Sequence, residues 1–507
     1  MADLSTLAAV DLGSNSFRLQ VARVVDDQIY PLDSLREPVR LAAGIDAQKR
    51  LDEASQQRAL ECLKRFGERL RGLPAEAVRA VGTNTLRVAK NAKDFRAKAE
   101  AALGFPIEVV AGREEARLIY LGVTHSLPVT GDKRMVVDIG GGSTELIIGS
   151  GYRPQKLESL YMGCVSYSMK FFPGGKLSKS HLKQAELAAR IEVQTIAREF
   201  SSAHWTEAVG SSGTAGALAE IIEQNGWSSG GITADGLDKL RSALLKAGDA
   251  SKLSFPGLRP DRVPVLPGGF AIMAAIFSEL NVKKMIIASG AMRQGILYDM
   301  IGRFHHRDMR DSTVVQFMKR YHVDVAQARR VEALASALLR QFAGDLHADE
   351  AHLLHRLSWA AKLHEIGLSV AHNGYHKHSA YIVRNADMPG FSKMEQSRLA
   401  TLVLAHRGSL DKMQGALESE VDLAQVAAMR LAALFYRSRI NADVLSIEAH
   451  CKGATFRIKL DPDWLRNNPL TAAALADEVR EWRKLGVTLE IKSLQDADID
   501  AAAILAE

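Results

Sequence analysis

The sequence predicts an α/β protein of two related halves, followed by a helical region and a small β-rich module. Three observations carry this. Strand and glycine-turn patterns recur as far as about residue 300, the apolar period then lengthens to three or four residues, and strict alternation returns near the C-terminus. In the first region, residues 7–25 read as a hairpin. An apolar strand meets a tight turn from Asp11 to Ser16, and a second strand follows with Phe17, Leu19 and Val21 inward against Arg18, Gln20 and Ala22. Residues 135–148 repeat that design: a buried strand, a turn from Asp138 to Thr144, then Glu145, Leu146, Ile147 and Ile148. Three further segments, at 78–89, 208–219 and 285–298, run strand, glycine turn, helix. In such a region ligands are expected at the strand-end turns.

Beyond Arg303 the pattern changes. Val325, Ala328, Val331, Ala335, Leu338 and Phe342 recur at helical spacing, as do Leu353, Leu357 and Ala361, so roughly 310–440 reads as helical. Eleven of the 15 histidines fall between His305 and His406, a compositional shift that supports a boundary. The final stretch alternates at Leu445, Ile447, Ala449 and at Phe456, Ile458, Leu460. A helix with Leu475, Val479 and Trp482 follows, then Val487, Leu489 and Ile491, which makes a β-β-α-β module.

Composition bounds the function classes. The chain has 507 residues, 47% of them hydrophobic and 24% charged, which excludes a disordered, collagen-like or disulfide-stapled protein. The longest run free of polar residues and glycine is 270–277, too short for a membrane span, and the N-terminus lacks a basic region ahead of an apolar one. A cytoplasmic protein is expected, with peripheral membrane association as the alternative. Cys62, Cys164 and Cys451 are odd in number and far apart, which favours reduced thiols over disulfides or a zinc cluster. A net charge of +6 is too slight for a dedicated nucleic-acid partner, yet suits an anionic ligand if the basic residues gather in one groove.

The turns carry the chemistry. In the 138–145 segment, Gly140, Gly141 and Gly142 let backbone N–H groups approach an anion, while Ser143 and Thr144 add hydroxyl donors. The bland alternative is a hairpin whose glycines serve only positive φ angles, and the duplicated Asp-x-Gly turn argues against it. Asp138 and Glu145 flank the cradle and are hard oxygen ligands of the kind Mg²⁺ takes beside phosphates, or else solvated turn acids. Residues 111–117 open a helix with Glu114 and Glu115; either complements the helix dipole or deprotonates a water, and local sequence does not choose between them. Residues 82–87 place hydroxyls and Arg87 at another helix start, suited to phosphate oxygens. No Walker A pattern occurs, and no Gly-x-Gly-x-x-Gly opens a helix after a strand. In the helical region His364-Glu365 precedes Gly367, and His372, His376, His378 and His406 follow. A His-Asp metal site would need aspartate at 365, so the local reading is structural or vestigial.

Together these residues resemble the exopolyphosphatase and guanosine pentaphosphate phosphohydrolase (Ppx/GppA) family, within the superfamily of actin, sugar kinases and the heat-shock chaperone ATPase. The carriers are Ala9-Val-Asp-Leu-Gly-Ser-Asn-Ser-Phe17, Gly82-Thr-x-Thr-Leu-Arg87, Gly112-x-Glu-Glu-Ala-Arg-Leu-Ile119, Val137-Asp-Ile-Gly-Gly-Gly-Ser-Thr-Glu-Leu146, Met162-Gly-Cys-Val165, Ser212-Gly-Thr214 and Gly290-Ala-Met-Arg-Gln-Gly295. The likeness continues through Leu363-His-Glu-Ile-Gly367 and His378-Ser-Ala-Tyr381, which corresponds to the long, four-domain form.

The resemblance implies two actin-like (ribonuclease H-like) α/β lobes at 1–120 and 121–303, an all-α HD-like domain at 304–440 and a small α+β domain at 441–507, usually as a homodimer. It implies Glu115 as catalytic base and Asp11, Asp138 and Glu145 as magnesium-associated acids. Ser14, Asn15, Thr85, Arg87, Gly140, Gly141, Gly142, Ser143, Thr144 and Gly213 become phosphate contacts. The implied cofactor is Mg²⁺, with K⁺ as a stimulating ion, and Glu365 argues against a second active metal site. The implied reaction is hydrolysis of terminal phosphate from inorganic polyphosphate, with the 5′ γ-phosphate of guanosine pentaphosphate (pppGpp) as the alternative substrate. A phosphotransferase and a non-catalytic sensor are the remaining readings. A chain-like polyanion also calls for a basic track, for which Lys319, Arg320, Arg329 and Arg330 are candidates unless they form a solvated helix face.

Overall fold

A computed structural model describes residues 5–25, 28–128, 132–304, 308–346, 350–417, 419–440 and 447–494. The chain divides into two compact units, 1–309 with 389–393, and 310–388 with 394–507.

In the first unit, runs of valine, leucine, isoleucine and alanine build two sheets. One contains β1 (Thr6–Leu12), β2 (Phe17–Val25), β3 (Gln28–Glu37), β4 (Val78–Gly82) and β5 (Ile107–Val109), in the order β3-β2-β1-β4-β5. The other contains β6 (Lys133–Ile139), β7 (Thr144–Ser150), β8 (Arg153–Leu160), β9 (Glu207–Ser211), β10 (Ile232–Thr233) and β11 (Lys284–Ile287), in the order β10-β11-β9-β6-β7-β8. Each begins with an antiparallel meander, β1-β2-β3 or β6-β7-β8. Each then continues on the other side of its first strand with a parallel partner, β4 or β9. The duplication seen in the two turns is therefore a duplication of whole sheets.

The expected inward and outward faces of β2 need correction. Phe17 and Leu19 are fully buried, but so are Gln20 and Ala22, while Val21 is only partly buried. Ala22 shares a core with Ile296 and Leu297 of the helix Met292–Phe304, so β2 is covered on both faces and does not show the one-sided pattern of an open hairpin.

That same core contains Leu7 and Ala9 of the first sheet, Val136 and Ile147 of the second, and Ala116, Leu118, Ile119 and Val123 of the helix Gly112–His125. The two helices pack against each other. The helix bearing Glu114 and Glu115 is thereby wedged between the sheets, and its N-terminus meets the strand-end turns of both. All three strand–turn–helix segments form as expected, with helices at Asn84–Val88, Ser212–Gln224 and Met292–Phe304.

The second unit is helical over Val325–Leu346, Glu350–Leu363, Tyr375–Asn385, Lys393–Ala405 and Glu420–Phe435. Ala328, Val331, Ala335, Leu338 and Phe342 are buried at helical spacing, whereas Val325, at the helix start, is exposed. β12 (Glu448–Lys452), β13 (Thr455–Leu460) and β14 (Thr488–Ser493) form a three-stranded sheet. The helices Pro462–Asn467 and Pro469–Arg483 cross between β13 and its parallel partner β14. Leu475 and Trp482 are core; Val479 is only partly buried, because its neighbour Glu478 turns inward to pair with Arg430. Leu445 lies outside the described residues. All three cysteines are buried and free, and among the described residues no helix is long and apolar enough to cross a membrane.

Candidate active site

The duplicated turns face each other. A Cβ placed on Gly141 would lie 3.0 Å from the Asn15 nitrogen and 3.0 Å from Ser14 Cβ, and one on Gly142 only 2.6 Å from Asn84 Oδ1. Any side chain here would push the second turn off the first, so the glycines allow the two turns to close on one cleft. The cleft is lined by Asp11, Ser14, Asn15, Glu115, Asp138, Gly140, Gly141, Gly142, Ser143, Glu145 and Gly213. These come from four separate segments of the sequence.

Three expected residues stand off the lining. Thr144 is fully buried and donates 2.6 Å to the Met162 carbonyl, an anchor for the loop that follows β8. Thr85 donates 2.8 Å to Ser14 Oγ and so ties the helix start to the first turn. Arg87 donates 3.0 Å to the Val110 carbonyl and 2.6 Å to Glu115 Oε2, so its guanidinium is committed to the carboxylate. Burial works against the Arg87 charge, yet Glu115 holds its pKa above the ordinary value.

The choice between Glu114 and Glu115 is resolved by burial partners. Glu114 is locked in an ion network behind the cleft: Arg117 donates to both its oxygens at 2.8 Å, and the Gly390 amide donates to it at 2.7 Å. Arg117 also reaches Asp299 at 2.6 Å, and Asp299 in turn accepts from Arg79 at 2.6 Å. Those arginines keep the Asp299 carboxyl far below its usual range despite burial. Glu115 instead turns into the cleft.

The remaining acids are electrostatically strained. Burial, with Glu115 and Asp138 nearby, raises Asp11 to about 7 against the pull of Arg18 and Arg293. Burial raises Asp138 to about 6, partly offset by the Ser212 hydroxyl that donates to it. Burial and the charges of Glu115 and Asp138 raise Glu145 well above its usual value, although Ser159 Oγ donates to it at 2.8 Å. Carboxylates that raise one another in this way are the chemistry of a site that takes a hard cation, since a cation would relieve both the burial and the mutual repulsion. Among the described residues no three or more His, Cys, Asp or Glu side chains are grouped so as to hold a metal ion together.

Sequence reasoning assigned no site role to several lining residues, of which four bear on the chemistry. Arg18, Arg262 and Arg293 form a basic wall: burial depresses all three, and Arg262 and Arg293 each fall to about 10. The Nε atoms of Arg262 and Arg293 are buried without a partner. No local signal marks Arg18 or Arg262, whereas Arg293 sat inside the quoted Gly290–Gly295 motif. The fourth is Ser212, held at φ 65° in the left-handed region that a serine rarely adopts, where its hydroxyl meets Asp138. The basic track expected at Lys319, Arg320 and Arg329 is exposed side chain in the second unit, and Arg330 is tied to Gln327 Oε1 at 3.1 Å. The family models now decide the kinship: the "Ppx/GppA phosphatase family" description matches residues 20–304, and "Ppx/GppA phosphatase, domain III" matches 309–479.

The chain belongs to the Ppx/GppA phosphatase family. It is therefore a hydrolase of phosphoanhydride bonds. It is 38% identical over 487 residues to a Vibrio cholerae guanosine-5′-triphosphate,3′-diphosphate pyrophosphatase, covering 96% of this chain and 98% of that one. Among solved structures, the Aquifex aeolicus Ppx/GppA family member aligns with a TM-score of 0.50 at 25% identity, over 59% of this chain and 99% of that one. An exopolyphosphatase from Cytophaga hutchinsonii aligns with a TM-score of 0.54 at 22% identity, over 58% of this chain and 97% of that one, a likeness of fold. The two sheets are thus the actin-like lobes of a Ppx/GppA enzyme, followed by a helical region and a small sheet domain.

Proposed function

We propose that this Ppx/GppA phosphatase is an exopolyphosphatase that removes terminal phosphate from inorganic polyphosphate. The observation that carries the reading is the wall of Arg18, Arg262 and Arg293 beside a cradle already furnished for one phosphate. A single phosphoryl group is served by the backbone donors at 141–143 and by Asn15, the Gly140 amide being spent on the Ser143 carbonyl at 2.9 Å. Three guanidinium groups beyond it in the same cleft lining suit the next phosphates of a chain. The cleft lining contains no aromatic ring on which a base would stack, among the described residues.

In the reaction, the Glu115 carboxylate accepts a proton from a water that attacks the terminal phosphorus. The anhydride P–O bond breaks, orthophosphate leaves, and the bridging oxygen stays with the shortened chain. Arg87 fixes the Glu115 carboxylate by its 2.6 Å bond, and the backbone N–H groups of the glycine turn take the charge that develops on the transferred oxygens. One or two of Asp11, Asp138 and Glu145, with water completing the shell, would hold Mg²⁺, which when bound would neutralise phosphate charge.

The second reading, hydrolysis of the 5′ γ-phosphate of guanosine pentaphosphate, is favoured by the activity for which the Vibrio cholerae relative is named. Phosphate release from long-chain polyphosphate and from guanosine pentaphosphate, measured in parallel with Mg²⁺, separates the two. Higher kcat/KM on polyphosphate supports the proposal; higher kcat/KM on the nucleotide replaces it with the second reading.

A further inference from the structure

The helical unit contains a cavity that the hydrolytic reaction does not use. It has a volume of about 250 Å³ and is bounded by the helices Tyr375–Asn385 and Glu420–Phe435, the segment 364–372 and the loop 406–408. Two histidines and a ring of arginines define its chemistry.

His364 and His406 are 2% and 3% exposed, with ring centroids 5.0 Å apart. Each spends its Nδ1 on a backbone carbonyl: His364 on Ala361 at 2.7 Å, His406 on Val403 at 2.6 Å. An Nδ1 that donates to a carbonyl leaves the neutral ring with an acceptor at Nε2. Burial first, then His364, His376 and Arg430, holds His406 well below its usual pKa, and burial lowers His364 as well, which favours the neutral rings that accept at Nε2. Their Nε2 atoms have only distant partners, Tyr375 Oη at 3.5 Å from His406 and Glu365 Oε1 at 3.9 Å from His364. A histidine that merely fills a core is satisfied at both nitrogens.

The rest of the lining is cationic. Arg407, Arg430, Arg437 and Arg439 face it against two acids, Glu365 and Glu478. Arg430 is pinned by Glu478 and by the Ala405 carbonyl at 2.7 Å, and Arg439 pairs with Glu365 at 2.6 Å, which leaves Arg407 and Arg437 in excess. Both are exposed at the rim, with the Arg407 guanidinium 5.2 Å from the Tyr375 ring centre. The positive field is felt locally: His376 is pushed down to about 4, first by burial and then by Lys412, Lys377, Arg407 and Arg430.

Arginines attract any anion, but acceptors at the bottom of the cavity suit only an anion that still carries a proton. We propose that this cavity binds hydrogen phosphate, with P–O–H donating to His364 or His406 Nε2 and the remaining oxygens facing Arg407 and Arg437. Sulfate has the same shape but no proton at neutral pH, so the pocket discriminates against it. The inference is independent of the substrate assigned to the cleft.

The test is isothermal titration of the full chain with inorganic phosphate, sulfate and guanosine 5′-monophosphate, without added metal. The Arg407→Ala/Arg437→Ala double variant and, separately, an Arg262→Ala cleft variant are titrated alongside. The expected result is a saturable phosphate isotherm whose affinity falls at least tenfold in the double variant and is retained in Arg262→Ala, with sulfate at least tenfold weaker than phosphate. Guanosine 5′-monophosphate, whose phosphomonoester has mostly lost its proton at neutral pH, should bind more weakly than phosphate. Because both rim arginines are exposed, the double variant should fold; Arg437→Glu provides a second, independent disruption. Three outcomes would each overturn the proposal: equal affinity for sulfate and phosphate, an isotherm unchanged in both variants, or phosphate binding only when a divalent metal is added.

Discussion

Arg87 Nη1 lies 2.6 Å from Glu115 Oε2, and both side chains are largely buried at the edge of the cleft. A carboxylate meant to take a proton from water must be aimed, and a guanidinium that also holds the Val110 carbonyl is a rigid means of aiming it. Arg87 is therefore a positioning residue. Replacing it with alanine should lower kcat by about 100-fold with KM changed much less, and lysine should restore part of the loss. A rise in KM at constant kcat would return Arg87 to direct phosphate binding.

Ser212 adopts a strained backbone so that its hydroxyl reaches Asp138. Supporting hydrogen bonds of this kind commonly change metal affinity by roughly 10- to 100-fold. Ser212→Ala should raise the Mg²⁺ concentration needed for half-maximal activity by about tenfold while activity at saturating Mg²⁺ stays near wild type. A Mg²⁺ titration yielding the same midpoint would show that Asp138 does not need this donor.

The arginine wall should act on chain binding. Arg293→Ala is expected to raise KM for long-chain polyphosphate by about tenfold, to leave kcat within about twofold, and to flatten the dependence of KM on salt, because one fewer counterion is released. Steady-state kinetics across a salt series checks this, and an unchanged salt slope would remove Arg293 from the track.

His125 is stacked between Tyr298, at 3.6 Å between ring centres, and Tyr152, at 4.4 Å. Burial lowers its pKa to about 4, so between pH 6.5 and 4 the unfolded chain binds a proton that the folded one does not, and stability falls as pH is lowered through that window. His125→Phe keeps the stack and cannot take the proton. Its stability relative to wild type, followed by the difference in Tm, should rise on going from pH 7.5 to pH 5, by on the order of 1 kcal/mol because the ring is only half-buried. A pH-independent difference in Tm would contradict the assignment.

The sequence was most legible where chemistry and backbone constraint coincide. The glycine turns, Asp11, Asp138, Glu145 and Asn15 are marked by residue types that few other local structures require, and the cleft assembles them. Local sequence does not separate Glu114 from Glu115 because both begin the same helix; only the distant Asp299 and Gly390, which fix the Glu114–Arg117 pair, reveal which is locked away. Arg18 and Arg262 were invisible for a different reason: an arginine on a strand or after a proline looks like ordinary surface until burial removes its water. Thr144 is the converse case, a hydroxyl in a phosphate-like turn that serves the Met162 carbonyl instead. The both-sided burial of β2 follows from the helix Met292–Phe304, far along the chain and outside any local window.

The central claim is that a water activated by Glu115 attacks the terminal phosphorus. The most direct measurement is Mg²⁺-dependent phosphate release by Glu115→Gln beside polyphosphate binding to the same variant. The account predicts turnover reduced by at least 1,000-fold with binding retained within about threefold, since the amide preserves shape but accepts no proton. Turnover near wild type in Glu115→Gln would contradict it.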